Sequence, residues 1–230
     1  MLPLVVIPAY QAQDHVGAVI RNLRTQCQLL AVPPTILVVD DGSTDKTADV
    51  AANASAQLVR HEKNLGKGAA LRTGLHWAEA HGFREMVSAD ADGQHPTEEI
   101  LKLLLLDNER VSIILGVRNL VRDNAPRANQ FSNGISNRFL SWFTRQRLRD
   151  TQCGLRRYPV AQTLALGCKD DRYAFEAEVL IRAARRDLPI EQIPIRVIYP
   201  PRAERLSHFH VVKDPYRIIL RVLSTVVEAS

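Results

Sequence analysis

The sequence predicts an α/β fold, a mostly parallel central sheet with helices on both faces. Three observations carry this. The runs at 2–7 and 35–39 read as buried strands and those at 57–60, 85–89 and 111–117 as further strands, with segments of helical spacing among them. The intervals between the runs suit right-handed crossovers between parallel strands. Polar clusters at 40–43, 64–68 and 90–94 each follow a strand or open a helix, so they fall on one rim, where open α/β sheets bind ligands.

The elements follow in order. The first run is stopped by Pro8 and is too short for a signal peptide, so it is a strand. Val16, Val19, Ile20 and Leu23 give helical spacing to 14–28, and Pro33-Pro34 breaks the chain. The run from Thr35 to Val39 leads into Asp40-Asp41-Gly42-Ser43, where Ser43 or Thr44 is placed to cap a helix over roughly 45–55. Gln57 to Arg60 is a third strand. Asn64-Leu-Gly-Lys-Gly68 opens a helix reaching about Ala80. The strand from Glu85 to Ala89 precedes Asp90-Ala-Asp-Gly-Gln94, and Pro96 starts another helix, where its missing N–H costs nothing. The fifth strand runs from Val111 to Val117. Beyond residue 120 the rhythm loosens: 130–149 and 173–186 read as helices and 193–199 as a strand.

Composition bounds the function. The 230 residues include 46% hydrophobic and 24% charged residues, ordinary for a globular enzyme, and carry a formal net charge of +5 that suits anionic partners. The three cysteines, Cys27, Cys153 and Cys168, fit no zinc pattern, and a reducing, cytoplasmic setting is expected. No apolar run is long enough to cross a bilayer, so no transmembrane helix is expected. A nucleic-acid binder would interleave aromatic and basic residues on one surface. Only 139–149 approaches that pattern, helix packing explains it equally, and no nucleic-acid partner is expected.

Asp90 and Asp92 flank Ala91 just past a strand. Two carboxylates so spaced on a loop hold a divalent cation beside a diphosphate, leaving most cation positions to water and phosphate oxygens, although the same pattern also occurs in solvated turns. Gln94 either completes that shell or caps the next helix. Asp40-Asp41-Gly42-Ser43 is either a turn with an N-cap or a source of a carboxylate for a nucleobase N–H or a ribose. The stretch around Lys67 satisfies neither strict phosphate pattern. His61 and Gly68 stand where a Walker loop needs Gly and Ser or Thr, and Leu71 stands where a dinucleotide fingerprint needs a small residue. A flexible turn with one lysine at a helix start remains. His61, His76, His81 and His95 are scattered and read as solvated or core residues, and no Gly-X-Ser-X-Gly elbow is present.

Taken in order, the pieces resemble the GT-A glycosyltransferases of family 2, and within them the dolichol-phosphate mannose or glucose synthase-like branch. The motifs are Val-Ile-Pro-Ala-Tyr10, Val-Val-Asp-Asp-Gly-Ser-Thr-Asp45, Asn64-Leu-Gly-Lys-Gly-Ala-Ala70, Asp90-Ala-Asp-Gly-Gln-His-Pro96, Asp150-Thr-Gln-Cys-Gly-Leu-Arg156 and Phe175-Glu-Ala-Glu178. The resemblance implies a Rossmann-like GT-A fold. It also implies an inverting transfer of a hexose from a UDP- or GDP-sugar to a lipid-linked acceptor such as polyprenyl phosphate. Pro8, Ala9, Tyr10 and one of Asp40 or Asp41 would line the nucleotide site, with Lys67 and Ala91 near the donor. Asp90, Asp92 and Gln94 would bind Mg2+ or Mn2+. Arg118, Arg127 and Arg205 would face phosphate. Asp150 would open the acceptor motif with Glu178 close by, and the two are the candidate bases for a hydroxyl acceptor. Where similar synthases carry Ser-Lys after an arginine, this chain reads Arg205-Leu-Ser-His208. The chain is read as one domain: a nucleotide-sugar half over 1–120, an acceptor half over 121–210 and an amphipathic helix over 211–230. In the last, Lys213, Arg217 and Arg221 form one helical stripe beside Tyr216, Ile219, Leu220, Leu223 and Val227. That helix either docks on the domain or lies in a membrane interface, making the enzyme peripheral on the cytoplasmic membrane face. The alternative enzyme class is nucleotidyl transfer on a related sheet. It requires a Gly-rich run after the first strand, where this chain has Pro8-Ala-Tyr-Gln-Ala-Gln13.

Overall fold

The computed structural model describes residues 3–28, 30–107 and 110–199. Arg205 and the 211–230 helix expected from the sequence lie outside the described residues. The elements are β1 (Leu4–Ala9), α1 (Val16–Cys27), β2 (Thr35–Asp40), α2 (Thr47–Asn53), β3 (Gln57–Arg60), α3 (Lys67–Ala80), β4 (Glu85–Ser88) and α4 (Thr97–Leu104). They continue as β5 (Ile113–Arg118), α5 (Arg127–Thr144), β6 (Arg156–Pro159), α6 (Val160–Ala165), α7 (Ala174–Arg185) and β7 (Ile190–Ile195). The strands form one sheet in the order β3-β2-β1-β4-β6-β5-β7. Every pairing is parallel except those of β6, which runs antiparallel between β4 and β5.

Strands β1 and β2 are apolar along almost their whole length because both faces of the sheet are covered there, whereas the edge strand β3, Gln-Leu-Val-Arg, is largely exposed. Leu4 and Val6 of β1, with Leu37 and Val39 of β2, enter a core beneath α3, α6 and α7. Val5 and Ile7, with Ile36 and Val38, enter the opposite core beneath α1, α2 and α4. Each fully buried side chain of this kind contributes about 1.5–3 kcal/mol. The predicted fold class is the observed one, and parallel strands ending on one side bring the polar clusters to a common rim.

Three local departures have physical reasons. Strand β6 escapes the apolar-run criterion because it reads Arg-Arg-Tyr-Pro, yet all four residues are buried. Alternation sends the two arginines to opposite faces. Arg156 donates to the carbonyls of Thr151, Cys153 and Glu176. Arg157 donates to those of Leu103 and Leu106 and pairs with Glu85 at 2.5 Å. Helix α2 starts at Thr47 and not near 45, because Ser43 and Thr44 are engaged elsewhere. Ser43 Oγ accepts from Gln11 N and Thr44 Oγ1 from Gln11 Nε2, while Asp45 Oδ1 accepts from Thr47 N. Strand β7 precedes its expected position and ends at Ile195, where its register with β5 ends at Arg118. The chain then leaves the sheet, and Ile198 N donates to Gln94 O at 2.9 Å.

Helix α3 approaches β1 so closely that a Cβ at Gly74 would stand 2.6 Å from Val6 Cγ1. Two effects oppose each other in Gly74→Ala: helix propensity gains about 1 kcal/mol, while overpacking costs about 1–3 kcal/mol. Contact wins here because Val6 is fully buried and hemmed in by the sheet. The variant is expected to unfold at lower urea concentration than the parent in circular dichroism titrations. A variant of equal or greater stability would contradict the close packing.

Candidate active site

The rim is built from the carboxyl ends of β1, β2, β4 and β5. The loops after β1 and β2 are stitched together. Asp41 N donates to Ala9 O at 2.8 Å, and Ala12 N donates to Thr47 Oγ1 at 2.8 Å. Pro8, Ala9 and Tyr10 therefore sit at the mouth beside Asp40 and Asp41. Asp40 is fully buried, accepting from Ser43 N at 3.0 Å and facing Arg60 Nε at 3.1 Å. Asp41 reaches across to the next loop. Its carboxylate accepts from Leu65 N and Gly66 N at 2.9 and 2.7 Å and meets His61 Nδ1 at 2.7 Å. These bonds place the start of α3, and with it Lys67, at the rim.

Lys67 and Asp90 form the centre. Lys67 Nζ is 2.7 Å from Asp90 Oδ1 and 3.4 Å from Glu176 Oε2, with side-chain exposures of 18% for Lys67 and 28% for Asp90. Burial disfavours the Lys67 ammonium, but the Asp90 and Glu176 charges outweigh it and hold its pKa above the ordinary lysine value. Burial alone would raise the Asp90 carboxyl, yet Lys67 and then His95 bring it down to about 2. Asp92 moves the other way, up to about 6, first from burial and then from the Asp90 charge beside it. An ionised Asp90 beside a carboxyl whose ionisation it opposes forms a place where a divalent cation is welcome. Among the described residues no group of three or more His, Cys, Asp or Glu side chains converges as a closed metal cage. The donor set thus fits Mg2+ or Mn2+ held by one or two carboxylates with water and phosphate oxygens. Ala91 between them is buried. Gln94 shapes this loop through its backbone: its N–H donates to Asp92 Oδ1 at 2.9 Å and its carbonyl accepts from Ile198 N.

Four contributors were not singled out by the sequence. Gly154 lies under the ion pair, and a Cβ there would stand 2.3 Å from Asp90 Oδ2 and 2.7 Å from Lys67 Nζ. His95 is buried with Nδ1 4.0 Å from Asp90 Oδ2, and burial lowers its pKa to about 4, so it is neutral at pH 7. Arg156 is fully buried behind Glu176, with Nε 3.8 Å from Glu176 Oε1. Glu176 itself faces Lys67. The quoted motif Phe175-Glu-Ala-Glu178 contained the signal, because residues two apart on a helix point to nearly opposite sides. Glu178, the carboxylate chosen from sequence, points away from the Lys67–Asp90 pair. It accepts from Lys169 N and Asp170 N at 3.0 and 2.9 Å and pairs with Arg182 at 2.8 Å.

Asp150 and Arg118 come together as a bidentate pair. Asp150 accepts from Arg118 Nε at 2.7 Å, Nη2 at 2.9 Å and backbone N at 3.0 Å, and from Asn133 Nδ2 at 3.1 Å, with no exposed side-chain surface. Arg118 Nη1 also reaches Tyr199 Oη at 3.4 Å. Arg127 stands exposed at the first residue of α5, apart from this pair.

Removing one member of a buried pair leaves an uncompensated charge. Asp150→Asn is therefore expected to lower the unfolding free energy by about 3 kcal/mol, the low end of the range for buried pairs, because Arg118 keeps some solvent contact. Urea titration measures this, and an unchanged midpoint would show that the pair holds nothing in place.

The sequence matches the model for Glycosyl transferase family 2 over residues 4–164. It is 31% identical over 203 residues to an uncharacterised protein of Methanocaldococcus jannaschii, covering 85% of this chain and 81% of that protein. It is also 31% identical over 169 residues to the undecaprenyl-phosphate 4-deoxy-4-formamido-L-arabinose transferase of Salmonella choleraesuis, covering 70% of this chain. The chain spans about half the length of that transferase (50%). Among solved structures, glucosyl-3-phosphoglycerate synthase of Mycobacterium tuberculosis superposes with a TM-score of 0.75 at 20% identity, covering 97% of this chain and 80% of that one. Mannosyl-3-phosphoglycerate synthase of Rubrobacter xylanophilus gives 0.72 at 18%, covering 99% and 73%. These structures share the fold, an α/β architecture of the GT-A type. The matched region contains β1 to β6 and every rim residue up to Arg156, and the chain belongs to glycosyl transferase family 2.

Proposed function

We propose that this chain is an inverting, metal-dependent transferase that moves a hexose from a UDP- or GDP-sugar to a lipid-linked acceptor, a polyprenyl phosphate. The observation that carries the proposal is the Asp90–Lys67 pair with Asp92 beside it, at the rim reached by β1, β2 and the start of α3. The acceptor class is supported by the name of the Salmonella transferase. Nucleotidyl transfer is set aside on the family match and on the missing Gly-rich run after β1.

Pro8, Ala9, Tyr10, Asp40 and Asp41 would form the nucleotide side. There Asp40 and Asp41 keep the loops closed, and backbone groups of the rim meet the base and ribose. Asp90 and Asp92 would hold Mg2+ or Mn2+, with Gln94 keeping Asp92 in place. The cation supplies Lewis-acid stabilisation of the charge on the departing nucleoside diphosphate. Lys67 adds a fixed positive charge at the start of α3, where helix amides also favour anions. The acceptor oxygen would attack the anomeric carbon from the face opposite the departing diphosphate, so an α-linked donor yields a β-linked product.

A phosphate oxygen is already anionic and needs no general base, whereas a hydroxyl does. The pairing of Asp150 with Arg118 and of Glu178 with Arg182 agrees with the former case. Asp150 then acts as a positioning residue that aims Arg118 at the acceptor side, and Glu178 secures the 167–171 loop. Arg118 and Arg127 would attract the acceptor phosphate, with Arg205 assigned there by resemblance alone. The site would work at a cytoplasmic membrane face. Among the described residues no helix is long and apolar enough to cross a membrane.

Radiolabelled UDP- and GDP-hexoses incubated with polyprenyl phosphate test this. Label is expected in the organic phase with Mn2+ or Mg2+ and not in chelator, and Asp92→Asn is expected to lower turnover about a hundredfold or more while melting normally. Transfer that persists in chelator would refute the metal role. Label found only on water-soluble phosphorylated acceptors would refute the lipid acceptor. Gly154→Ala forces Asp90 and Lys67 apart and is expected to cost about a hundredfold in turnover, since displacements near 1 Å do so. Normal turnover in that variant would mean that the pair's position is irrelevant to the chemistry.

A further inference from the structure

Helix α5 carries apolar side chains on two opposite sides. It lies against α7, and its inner side carries Asn133, Leu140 and Thr144, all buried, with Phe139 and Phe143 leaning on the core that α7 shares. Its outer side carries Phe131, Ile135 and Trp142, which are 73%, 48% and 75% exposed. At the helical repeat these three lie within about 40° of one another. Arg127 and Arg138 run along one edge of the same stripe, Arg145 follows at the helix's C-cap, and all three are exposed.

The inner side explains why α5 packs against α7. The outer side leaves a phenylalanine, an isoleucine and a tryptophan in water, which packing does not require. We infer that the outer side of α5 docks on the surface of an anionic lipid bilayer. Tryptophan and phenylalanine enter the headgroup boundary while arginine stems lie along it with their charges outward, and this stripe has both components. The arginine edge and the net charge of +5 are complementary to anionic headgroups. A groove for a protein partner would call for concavity, whereas this is a convex ridge about 27 Å long by the rise of an 18-residue helix.

The same helix is tied to the site. Asn133 on its inner side donates to Asp150, which holds Arg118. A bilayer touched by the outer side would thus lie one helix diameter from the arginine at the rim. The functional meaning of the docking rests on the proposed lipid acceptor, but its test does not.

The chain has two tryptophans, and Trp77 stacks on His81 within the fold. Trp77→Phe in the full chain leaves Trp142 as the reporter. With vesicles of equal parts phosphatidylglycerol and phosphatidylcholine, Trp142 emission is expected to shift to the blue and to be quenched by brominated acyl chains. Added salt should weaken the partition. Phe131→Ser with Trp142→Ser is expected to reduce vesicle sedimentation by about tenfold or more. An unquenched Trp142, or equal sedimentation of the double variant, would overturn the inference. So would a dimer in sedimentation velocity that the double variant dissolves, since the stripe would then belong to a second copy. Quenching of Trp142 without transfer to any polyprenyl phosphate would keep the docking and refute only the acceptor class.

Discussion

A lysine ammonium and an aspartate carboxylate 2.7 Å apart, above a glycine that leaves them room, are the constraint on which the site depends. Four parts of the chain must agree for this contact to exist. Strand β4 must end at Ser88 to deliver Asp90. Asp41 must hold Leu65 and Gly66 to deliver Lys67. The turn before β6 must place Gly154 beneath them, and α7 must bring Glu176 alongside. A half-buried pair of this kind is a weak source of stability, because desolvation offsets most of the attraction. Its value lies in location. Asp90 stays ionised, the Asp92 carboxyl is raised by burial and its neighbour's charge, and a cation with a diphosphate would meet fixed charges of both signs.

Much of the fold was legible because parallel strands buried on both faces leave uninterrupted apolar runs. Strands β1 to β5 and helices α1 to α4 follow the predicted order, with boundaries shifted by a few residues. What was not legible depends on partners far away in sequence. Strand β6 is polar in sequence and buried in structure, since Arg157 meets carbonyls more than 50 residues away and Arg156 joins two nearby carbonyls to one 20 residues away. No local periodicity encodes that. Ser43 and Thr44 had the chemistry of helix caps, and Gln11, some 32 residues earlier, captured them instead.

The candidate site divides in the same way. Loops that follow apolar strands announced Asp90, Asp92 and Lys67 by position, and the structure does bring them together. Glu176 and Glu178 differ only in which side of α7 they occupy. Helical spacing shows that one alone can face the rim, but choosing it requires knowing which face α7 turns to the sheet. Gly154 and His95 were invisible for another reason. One contributes an absence of atoms and the other a neutral, buried ring, and neither leaves a charge pattern to read.

Carboxylates on backbone N–H groups hold the loops of the rim, and buried arginines answer carbonyls around the antiparallel strand. In the first half, strands lead into helix starts, which expose backbone N–H groups, and carboxylates satisfy them: Asp40 at Ser43, Asp41 at Leu65 and Gly66, Asp45 at Thr47. In the second half the sheet is interrupted by one antiparallel strand. The loop before β6 turns the carbonyls of Thr151 and Cys153 inward, where Arg156 satisfies them, while Arg157 satisfies those of Leu103 and Leu106 at the end of α4. Carboxylates answer backbone N–H groups in the second half as well, Asp150 at Arg118 and Glu178 at Lys169 and Asp170. Arg118 stands at the seam, at the end of β5, with its charge answered by Asp150 from the loop before β6. A donor whose diphosphate needs a cation and an acceptor whose charge needs arginine would each find the matching half.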